Sequence, residues 1–345
     1  MSQKRITQEA CVLGHRYMRK GRVHQYITGE RLEAHQAILE ASNDVNLVQT
    51  PCLCSSNGED LLLATIDRWG LPISAVLCQS CGLIRLSPRW EVPTYIDIYQ
   101  KYFWPLQMGS FGVTEERFQL SVTRAEKFVD VITSRLDLMG LNVVEIGCSY
   151  GAGLHGLKET GAKLVGYDYD ERILQLGKEF TGLDLRSGGL ESALGRKEKF
   201  DVVILRHVFE HFLEPLTDAE SLKQLLNENG KVFIEVPGVF NMKEWTPDPL
   251  MGFNAFHAYY YSLKTLTNVM QSCGFVGDDS NDEEIYSIWS LGASEGEVFW
   301  ADDEGAKKTI DFLLEIEKYR KKIVSRSLVG NLIKKTGSIF RSLVK

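Results

Sequence analysis

The sequence predicts an α/β fold built on a mostly parallel sheet, and three observations carry this prediction. The apolar segment 143–146 leads into a glycine-rich turn and then into a helical pattern. Strand-like and helix-like patterns alternate from residue 141 to residue 297. Asp168 ends the second strand-like segment 21 residues after Gly147, which is the spacing of a βαβ unit. We therefore expect a sheet whose carboxyl edge brings backbone N–H groups close to a ligand.

Length and composition set the frame for this fold. The chain has 345 residues, enough for roughly two domains of about 150 residues. Hydrophobic residues make up 44% and charged residues 25%, as in soluble globular proteins. No apolar run approaches the roughly 18 residues of a membrane span, and the N-terminus lacks the apolar core of a secretory signal. These features predict a cytoplasmic protein.

Pattern changes divide the chain into five segments. The first is rich in helix formers, the second carries clustered cysteines, the third and fifth look helical, and the fourth has the alternating pattern. The predicted boundaries are a helical N-terminal segment at 1–47, a cysteine-bearing module at 48–92, a helical cap or linker at 93–139, the alternating domain at 140–297 and a helical tail at 298–345.

The first strand, turn and helix start read VVEIGCSYGAGL, residues 143–154. Glu145 lies in the strand, and Gly147 and Gly151 flank a middle position that holds Ser149. Glycines here allow a tight turn and close approach of the backbone to a ligand. A purely structural turn is the alternative. Many nucleotide-binding proteins share this pattern, so the following segments must decide what is bound.

Asp168 follows the second strand, in the segment KLVGYDYD at 163–170. A carboxylate at this point lies beside the first turn and can accept hydrogen bonds from both hydroxyls of a ribose. The alternative is that Asp168 caps the next helix. Asp170, two residues further on, is expected to be exposed.

Three histidines lie at the ends of later strand-like segments. The strand 200–205 runs directly into RHVFEHF at 206–212, which contains His207 and His211. His257 lies in a loop that precedes a helix ending near residue 274. Because imidazole titrates near neutral pH, His257 and His207 are candidate catalytic bases. The alternative for His207 and His211 is that they are ordinary residues at a helix start, and the alternative for His257 is structural hydrogen bonding.

Taken in order, these segments resemble a class I S-adenosylmethionine (SAM) dependent methyltransferase over residues 140–297. The resemblance rests on EIGCSYG at 145–151, Asp168, RHVFEH at 206–211, residues 231–238 and residues 257–275. It implies a Rossmann-like seven-stranded methyltransferase sheet and SAM as the cofactor. Ser149 departs from the family, which often has a middle glycine there.

The resemblance also implies roles for individual residues. Glu145 would lie near the ammonium group of SAM, the amides from Gly147 to Gly151 near its methionine portion, and Asp168 at its ribose. Ser149, Leu190 and His207 complete the set of candidate cofactor-binding residues: Glu145, Gly147, Ser149, Gly151, Asp168, Leu190 and His207. The third-strand end, 186–191, lacks the acid that often binds adenine, so the adenine contact stays open.

The expected function is methyl transfer to a small-molecule or carbohydrate acceptor, at oxygen or carbon. The protein needs chiefly to align the nucleophile, the methyl group and sulfur, and to supply a base where the acceptor carries a proton. Two alternatives remain: an inactive methyltransferase fold that serves as a binding scaffold, and a nicotinamide-dependent oxidoreductase.

Four of the seven cysteines are clustered: Cys52, Cys54, Cys78 and Cys81. Two short pairs separated by 23 residues can supply four thiolates to a tetrahedral zinc ion, and buried thiols are the alternative. Residues 67–72 read as a hairpin turn between the pairs. The segment CQSCGLIRLSPR at 78–89 resembles the N-terminal zinc-binding module of some sugar-modifying methyltransferases. This resemblance implies a structural zinc with four protein ligands, and the saccharide acceptor rests on it.

The helical segment Tyr95–Met108 is a candidate cover for the cofactor pocket, as in that architecture. Its aromatic residues are Tyr99, Tyr102, Phe103 and Trp104. Packing in the core is the alternative for these side chains.

The charges are unevenly distributed. The chain has a net charge of −7, but residues 318–345 carry nine Lys/Arg and no acid, which leaves −16 on the rest. This acidic body predicts no nucleic-acid partner. In the tail, apolar residues form one helical face, which favours peripheral contact with the inner face of the membrane; they are Val329, Leu332, Ile333, Ile339, Phe340 and Leu343. A helix docked on the body or on a partner is the alternative.

Overall fold

The structure is a computed structural model that describes residues 11–18, 27–43, 45–56, 58–109, 114–282, 285–292, 298 and 300–342, with the backbone alone from 327. The α-helices are α1 (Glu30–Ala41), α2 (Val92–Ile98), α3 (Trp104–Met108), α4 (Glu115–Thr133), α5 (Ala152–Gly156), α6 (Glu171–Thr181), α7 (Leu190–Gly195), α8 (Pro215–Leu222), α9 (Met242–Trp245), α10 (Leu263–Ser272) and α11 (Asp303–Ser342). The strands are β1 (Leu47–Val48), β2 (Asp60–Ile66), β3 (Pro72–Cys78), β4 (Ile84–Leu86), β5 (Arg89–Trp90), β6 (Asn142–Ile146), β7 (Lys163–Asp168), β8 (Asp184–Ser187), β9 (Phe200–Arg206), β10 (Leu226–Glu235), β11 (Tyr259–Tyr260), β12 (Phe275–Asn281) and β13 (Tyr286–Leu291).

The main sheet has seven strands in the order β12-β13-β10-β9-β6-β7-β8. The five strands from β10 to β8 are parallel, and β13 joins them antiparallel to β10. Val143, Val144 and Ile146 are all buried because both faces of the sheet are covered by helices. The predicted Rossmann-like, seven-stranded sheet is confirmed.

The two faces of this sheet pack against different helices. On one face, Phe128 and Ile132 of α4 join Leu154 and Leu157 in a buried cluster. On the other face, α8 and α10 contribute buried apolar residues such as Leu222 and Val269. This leaves the carboxyl ends of β6, β7 and β9 open at one edge, where a ligand site forms in such sheets.

One strand of the main sheet is not evident from the sequence. The pattern at 285–291 indicates a strand, and β13 forms there, but β12 precedes it over Phe275–Asn281. The segment FVGDDSN has no apolar alternation because β12 is an edge strand whose side chains from Val276 to Ser280 are exposed. Pairing with β13 along the backbone holds it in the sheet.

A second sheet joins the cysteine-bearing module to the alternating domain. Its order is β11-β4-β3-β2, so a strand from residues 259–260 completes the sheet of segment 60–86. The predicted hairpin turn lies between β2 and β3, where the buried Asp67 accepts hydrogen bonds from Trp69, Leu71 and Ala255 N–H. The module therefore positions the loop that carries His257.

The long helix α11 begins against this module. Asp302 N–H donates to Ser80 O at 2.7 Å, and the helix backbone at Gly305 and Ala306 lies so close to Gly82 that a Cβ there would be 3.0 Å away. Further along, Tyr17 OH donates to Glu317 at 2.8 Å. None of the described helices is long and apolar enough to cross a membrane.

Candidate active site

One cavity of about 1390 Å³ lies at the carboxyl edge of the main sheet. The glycine-rich turn after β6, the end of β7, the segment after β9 and the helices α2 and α3 all line it. Of the candidate cofactor and catalytic residues, those along its wall are Glu145, Gly147, Ser149, Asp168, Leu190, His207 and His257. Gly151 does not line it and instead begins α5 in a left-handed conformation.

The glycine-rich turn is shaped by backbone conformations that favour glycine. Gly147 has φ 74° and Gly151 φ 73°, and a Cβ on Gly147 would lie 2.3 Å from Val208 Cγ2. Ser149 adopts φ 52° between them, so the turn forms without a glycine there. Ser149 Oγ is buried and has no hydrogen-bond partner among the described residues, which leaves a polar atom for a ligand.

Glu145 is 3% exposed at the end of β6. Its Oε1 lies 3.8 Å from Arg206 Nη1, and its Oε2 has no hydrogen-bond partner in the described part of the chain. Burial raises the pKa of Glu145 to about 7, and Arg206 opposes this increase. A buried carboxylate of this kind is stabilised by a cation, so the site fits the ammonium group of SAM. Arg206 was not among the predicted site residues, because an arginine at the end of a buried strand has no distinctive pattern in the sequence.

Asp168 and Asp170, at the end of β7, have different roles in the structure. Asp168 is 6% exposed and accepts hydrogen bonds from Ser149 N–H at 2.8 Å and Asp170 N–H at 3.1 Å. Asp170 caps α6 by accepting from Arg172 N–H at 3.0 Å. The expectation that Asp170 is exposed is wrong, since its side chain is 9% exposed because of this capping. Asp168 faces the cavity, and burial raises its pKa.

The region around the third strand forms the far wall of the cavity. Leu190, at the start of α7, is 6% exposed. Tyr169 OH donates to Glu191 Oε2 at 2.8 Å, while Glu191 Oε1 accepts from Gly189 N–H at 3.1 Å. Leu190 and Tyr169 thus present apolar and aromatic surface to the cavity. Tyr169 was missed because a tyrosine between two acids carries no pattern of its own.

His207 lies immediately beyond β9 with φ 52°, a rare backbone conformation for this residue. Its side chain is 53% exposed, and its Nε2 lies 3.6 Å from Glu235 Oε1. Although solvent reaches the ring through the cavity, the surrounding protein lowers the pKa of His207, mainly by desolvation. The imidazole is therefore neutral near pH 7 and can accept a proton.

Behind His207, three further side chains come together: Glu210, His211 and His257. One ring nitrogen of each histidine and one carboxylate oxygen of Glu210 lie within 4.8 Å of one another. His211 Nδ1 donates to Phe256 O at 2.8 Å, and burial lowers the pKa of His211 to about 4. Burial also lowers the pKa of His257 well below its ordinary value. Glu210 was missed because HVFEHF resembles an ordinary helix start.

An aromatic wall covers the same part of the cavity. Tyr99 and Phe103 stack with ring centroids 4.3 Å apart, and Phe103 packs edge-on against Phe256 at 5.0 Å. Tyr99, Phe103 and Trp104, all in the helical segment 92–108, line the cavity, whereas Tyr102 does not. The segment lies over the site and also packs in the core, so both interpretations from the sequence apply.

The four clustered cysteines meet at one point beside the second sheet. Cys52 Sγ lies 3.5 Å from Cys81 Sγ, and Cys54 Sγ lies 3.7 Å from Cys78 Sγ. All four are free thiols, and sulfur atoms around a tetrahedral zinc lie about 3.8 Å apart. The residues therefore fit a zinc ion with four protein ligands.

Comparison with known proteins agrees with this geometry. A family model described as a methyltransferase domain matches residues 117–279. The tRNA U34 carboxymethyltransferase of Campylobacter hominis is 27% identical over 56% of this chain and 73% of its own length. A probable S-adenosylmethionine-dependent methyltransferase of Mycolicibacterium smegmatis is 25% identical over 41% of this chain and 54% of its own. A ubiquinone biosynthesis O-methyltransferase of Cereibacter sphaeroides is 32% identical over 31% and 45%.

The strand order, the cradle and the matched family model define a class. Residues 117–279 form a SAM-dependent methyltransferase domain. The chain spans only about half the length of the second and third relatives, and the names of the first and third relatives refer to different substrates. The predicted methyltransferase is confirmed at the level of this domain.

Proposed function

We propose that the protein transfers a methyl group from SAM to an oxygen or carbon atom of a small-molecule or carbohydrate acceptor. One observation carries this proposal: the glycine-rich cradle and the histidine group face the same cavity. A donor on the cradle and an acceptor beside the histidines would lie against each other. Alignment of two reactants is a large part of the catalysis that such a reaction needs.

The donor side of the proposal is supported by buried polar atoms that have no hydrogen-bond partner among the described residues. Glu145 offers a buried carboxylate oxygen to an ammonium group, and Asp168 offers its carboxylate to the ribose hydroxyls. Arg206 already lies beside two protein carboxylates, with its Nε 3.4 Å from Glu235 Oε2 and its Nη1 3.8 Å from Glu145 Oε1. SAM supplies a methyl group on a sulfonium whose sulfur retains the electron pair of the breaking bond.

On the acceptor side, His207 is our first choice for the base, with His257 as the second candidate. His207 is neutral near pH 7 and is accessible through the cavity. It would take the proton from an acceptor hydroxyl while an electron pair of that oxygen forms the bond to the methyl carbon. An acidic carbon next to a carbonyl would lose its proton to the same imidazole.

The saccharide acceptor is the finer part of the proposal. It is supported by the resemblance of residues 78–89 to the module that precedes sugar-modifying methyltransferases, and by an acidic body that disfavours nucleic acid. We also propose that Cys52, Cys54, Cys78 and Cys81 hold a structural zinc. With four thiolates, the ion would have no open position for chemistry.

Calorimetry with SAM and with its demethylated product tests the donor side, and labelled methyl transfer to nucleotide-sugar and polysaccharide fractions tests the acceptor. We expect both SAM and its demethylated product to bind. His207→Ala should slow transfer on the order of 100-fold and affect SAM affinity much less, while substitution of the exposed His15 by alanine should change neither. Absence of binding to both cofactors would favour the scaffold alternative. Binding of a nicotinamide nucleotide instead would favour the oxidoreductase.

A further inference from the structure

We propose that Glu210, His211 and His257 form a site for a divalent transition-metal ion whose open position faces the acceptor. This site is separate from the cysteine cluster. It is not evident from the sequence because its ligands are far apart in the chain: two lie after β9, and the third lies 46 residues beyond. Two imidazoles and one carboxylate are a common ligand set for catalytic zinc and related first-row ions.

Glu210 supplies the strongest observation. It is 1% exposed, and neither of its carboxylate oxygens has a hydrogen-bond partner among the described residues. An isolated buried carboxylate is costly, and such groups are normally paired or bound to a metal. Its Oε1 lies 3.9 Å from His211 Nε2 and 3.8 Å from His207 Nδ1. Thus the oxygen without a partner is directed at the histidines.

His211 is oriented as a metal ligand. Its Nδ1–H donates to the Phe256 carbonyl at 2.8 Å, which leaves the lone pair of Nε2 toward Glu210. A backbone carbonyl on the second ring nitrogen is the usual support for a ligating histidine. The rings of His211 and His257 lie edge to face with centroids 4.8 Å apart, so both can reach one ion.

The set is nearly closed in its present conformation. Ligand atoms around a tetrahedral ion bound to nitrogen and oxygen lie about 3.4 Å apart, and here they lie within 4.8 Å. Small side-chain rotations would close the gap. The neighbouring charges are mixed, since Arg68 opposes a cation while Glu235, 3.6 Å from His207 Nε2, favours one.

Three protein ligands leave a position for an oxygen of the acceptor. The ion would lower the pKa of a bound hydroxyl and orient it toward the methyl group. This role rests on the proposed function, and it favours an acceptor methylated at oxygen. His257 would then act as a ligand and His207 as the base.

Mn²⁺ binding to the zinc-loaded full-length chain, followed by electron paramagnetic resonance of the free ion, tests the site. Mn²⁺ is suitable because it does not compete well for thiolates. We expect one bound equivalent, with at least 10-fold weaker binding in Glu210→Gln and in His257→Asn. Glu191→Gln, which removes a carboxylate elsewhere on the cavity wall, should bind Mn²⁺ as the unaltered chain does.

Calorimetry with SAM on the same variants checks that the cavity has folded. Absence of Mn²⁺ binding to the unaltered chain, or unchanged binding in a Glu210→Gln protein that still binds SAM, would overturn the proposal. Mn²⁺ binding without any methyl transfer would retain the site and reject the proposed function. SAM binding with methyl transfer but without Mn²⁺ binding would reject the site alone.

Discussion

Two acidic residues at the end of β7 show how position decides role. Asp168 and Asp170 are both largely buried, yet only Asp170 is satisfied by a helix start, where it caps α6. Asp168 holds the Ser149 amide and faces the cavity. Asp170, and not Asp168, therefore caps the helix. The carboxylate of Asp168 stays at the cavity wall, where it can contact a ligand.

A pair of substitutions separates these roles. Asp168→Ala should weaken SAM binding roughly 10-fold to 100-fold, because a charge-assisted hydrogen bond contributes about 1.5–3 kcal/mol. Asp170→Ala should lower the free energy of unfolding by about 1 kcal/mol through loss of the cap and change SAM affinity much less. Calorimetry and denaturant unfolding measure the two effects. Equal loss of SAM affinity in both variants would contradict this assignment.

The cavity wall formed by the glycine-rich turn and the end of β7 was predictable from the sequence, and part of the histidine group was not. Asp168 was found because the distance from Gly147 reflects a strand, a helix and a strand of standard length. Glu210 was missed because its significance depends on a short 3₁₀ turn, Phe209–His211, and on His257 approaching from another loop. No local pattern in the sequence indicates that this carboxylate has no hydrogen-bond partner among the described residues.

At the scale of the element, the hairpin of β2 and β3 connects the cysteine cluster to the candidate active site. Cys78 ends β3 and Cys52 lies just beyond β1, while the turn between β2 and β3 carries Asp67 and Arg68. Asp67 binds the loop of His257 through Ala255 N–H at 3.0 Å, and Arg68 lines the cavity. A zinc ion in the cluster would thus stabilise one wall of the acceptor pocket.

Removal of this zinc should unfold the module. Structural zinc contributes about 10 kcal/mol or more to small zinc-binding peptides, which exceeds what this small sheet can replace. We expect one equivalent of zinc in the purified protein, lost in Cys54→Ser and after tight chelation, with a lower melting temperature. Cys11→Ser, which alters a thiol outside the cluster, should retain the metal. A metal-free protein with an unchanged melting temperature would contradict the structural role.

The elements that sequence analysis missed are those held by backbone pairing rather than by side-chain burial. The strands β6, β7 and β9 are apolar because both faces are covered, so they are visible as runs. The two-residue strand β11 and the exposed edge strand β12 leave no such pattern. Their partners, β4 and β13, determine where they lie.

At the scale of the whole molecule, the helix α11 changes character along its length. Ala306, Leu313 and Ile316 are buried against the body, whereas all described side chains after Arg320 are exposed, including Ile323 and Val324. The predicted apolar face, from Val329 to Leu343, lies outside the residues whose side chains the structure describes. Membrane contact of this tail therefore remains a prediction.

Truncation of the chain after Arg320 tests the predicted membrane contact of the tail. This truncation keeps the ion pair between Arg320 and Glu317. The deleted part carries seven Lys/Arg, each contributing about 1 kcal/mol near an anionic surface. We expect the full chain to bind anionic vesicles in low salt and the truncated chain to bind roughly 100-fold more weakly or not at all. Neutral vesicles serve as the control. Unchanged binding after truncation would reject the prediction.

The pairing of β11 with β4 joins the matched methyltransferase domain to a segment of the chain that lies outside it. The matched domain begins at residue 117, so it includes the cradle but excludes Arg68, Asp67 and the aromatic wall. An alignment restricted to that domain compares the glycine-rich cradle and the histidine group, but not the part of the cavity wall that comes from residues 68–107. Similarity within that domain therefore leaves part of the proposed acceptor side uncompared, and relatives with the same acceptor should be sought by similarity over residues 52–108 and 254–260 together.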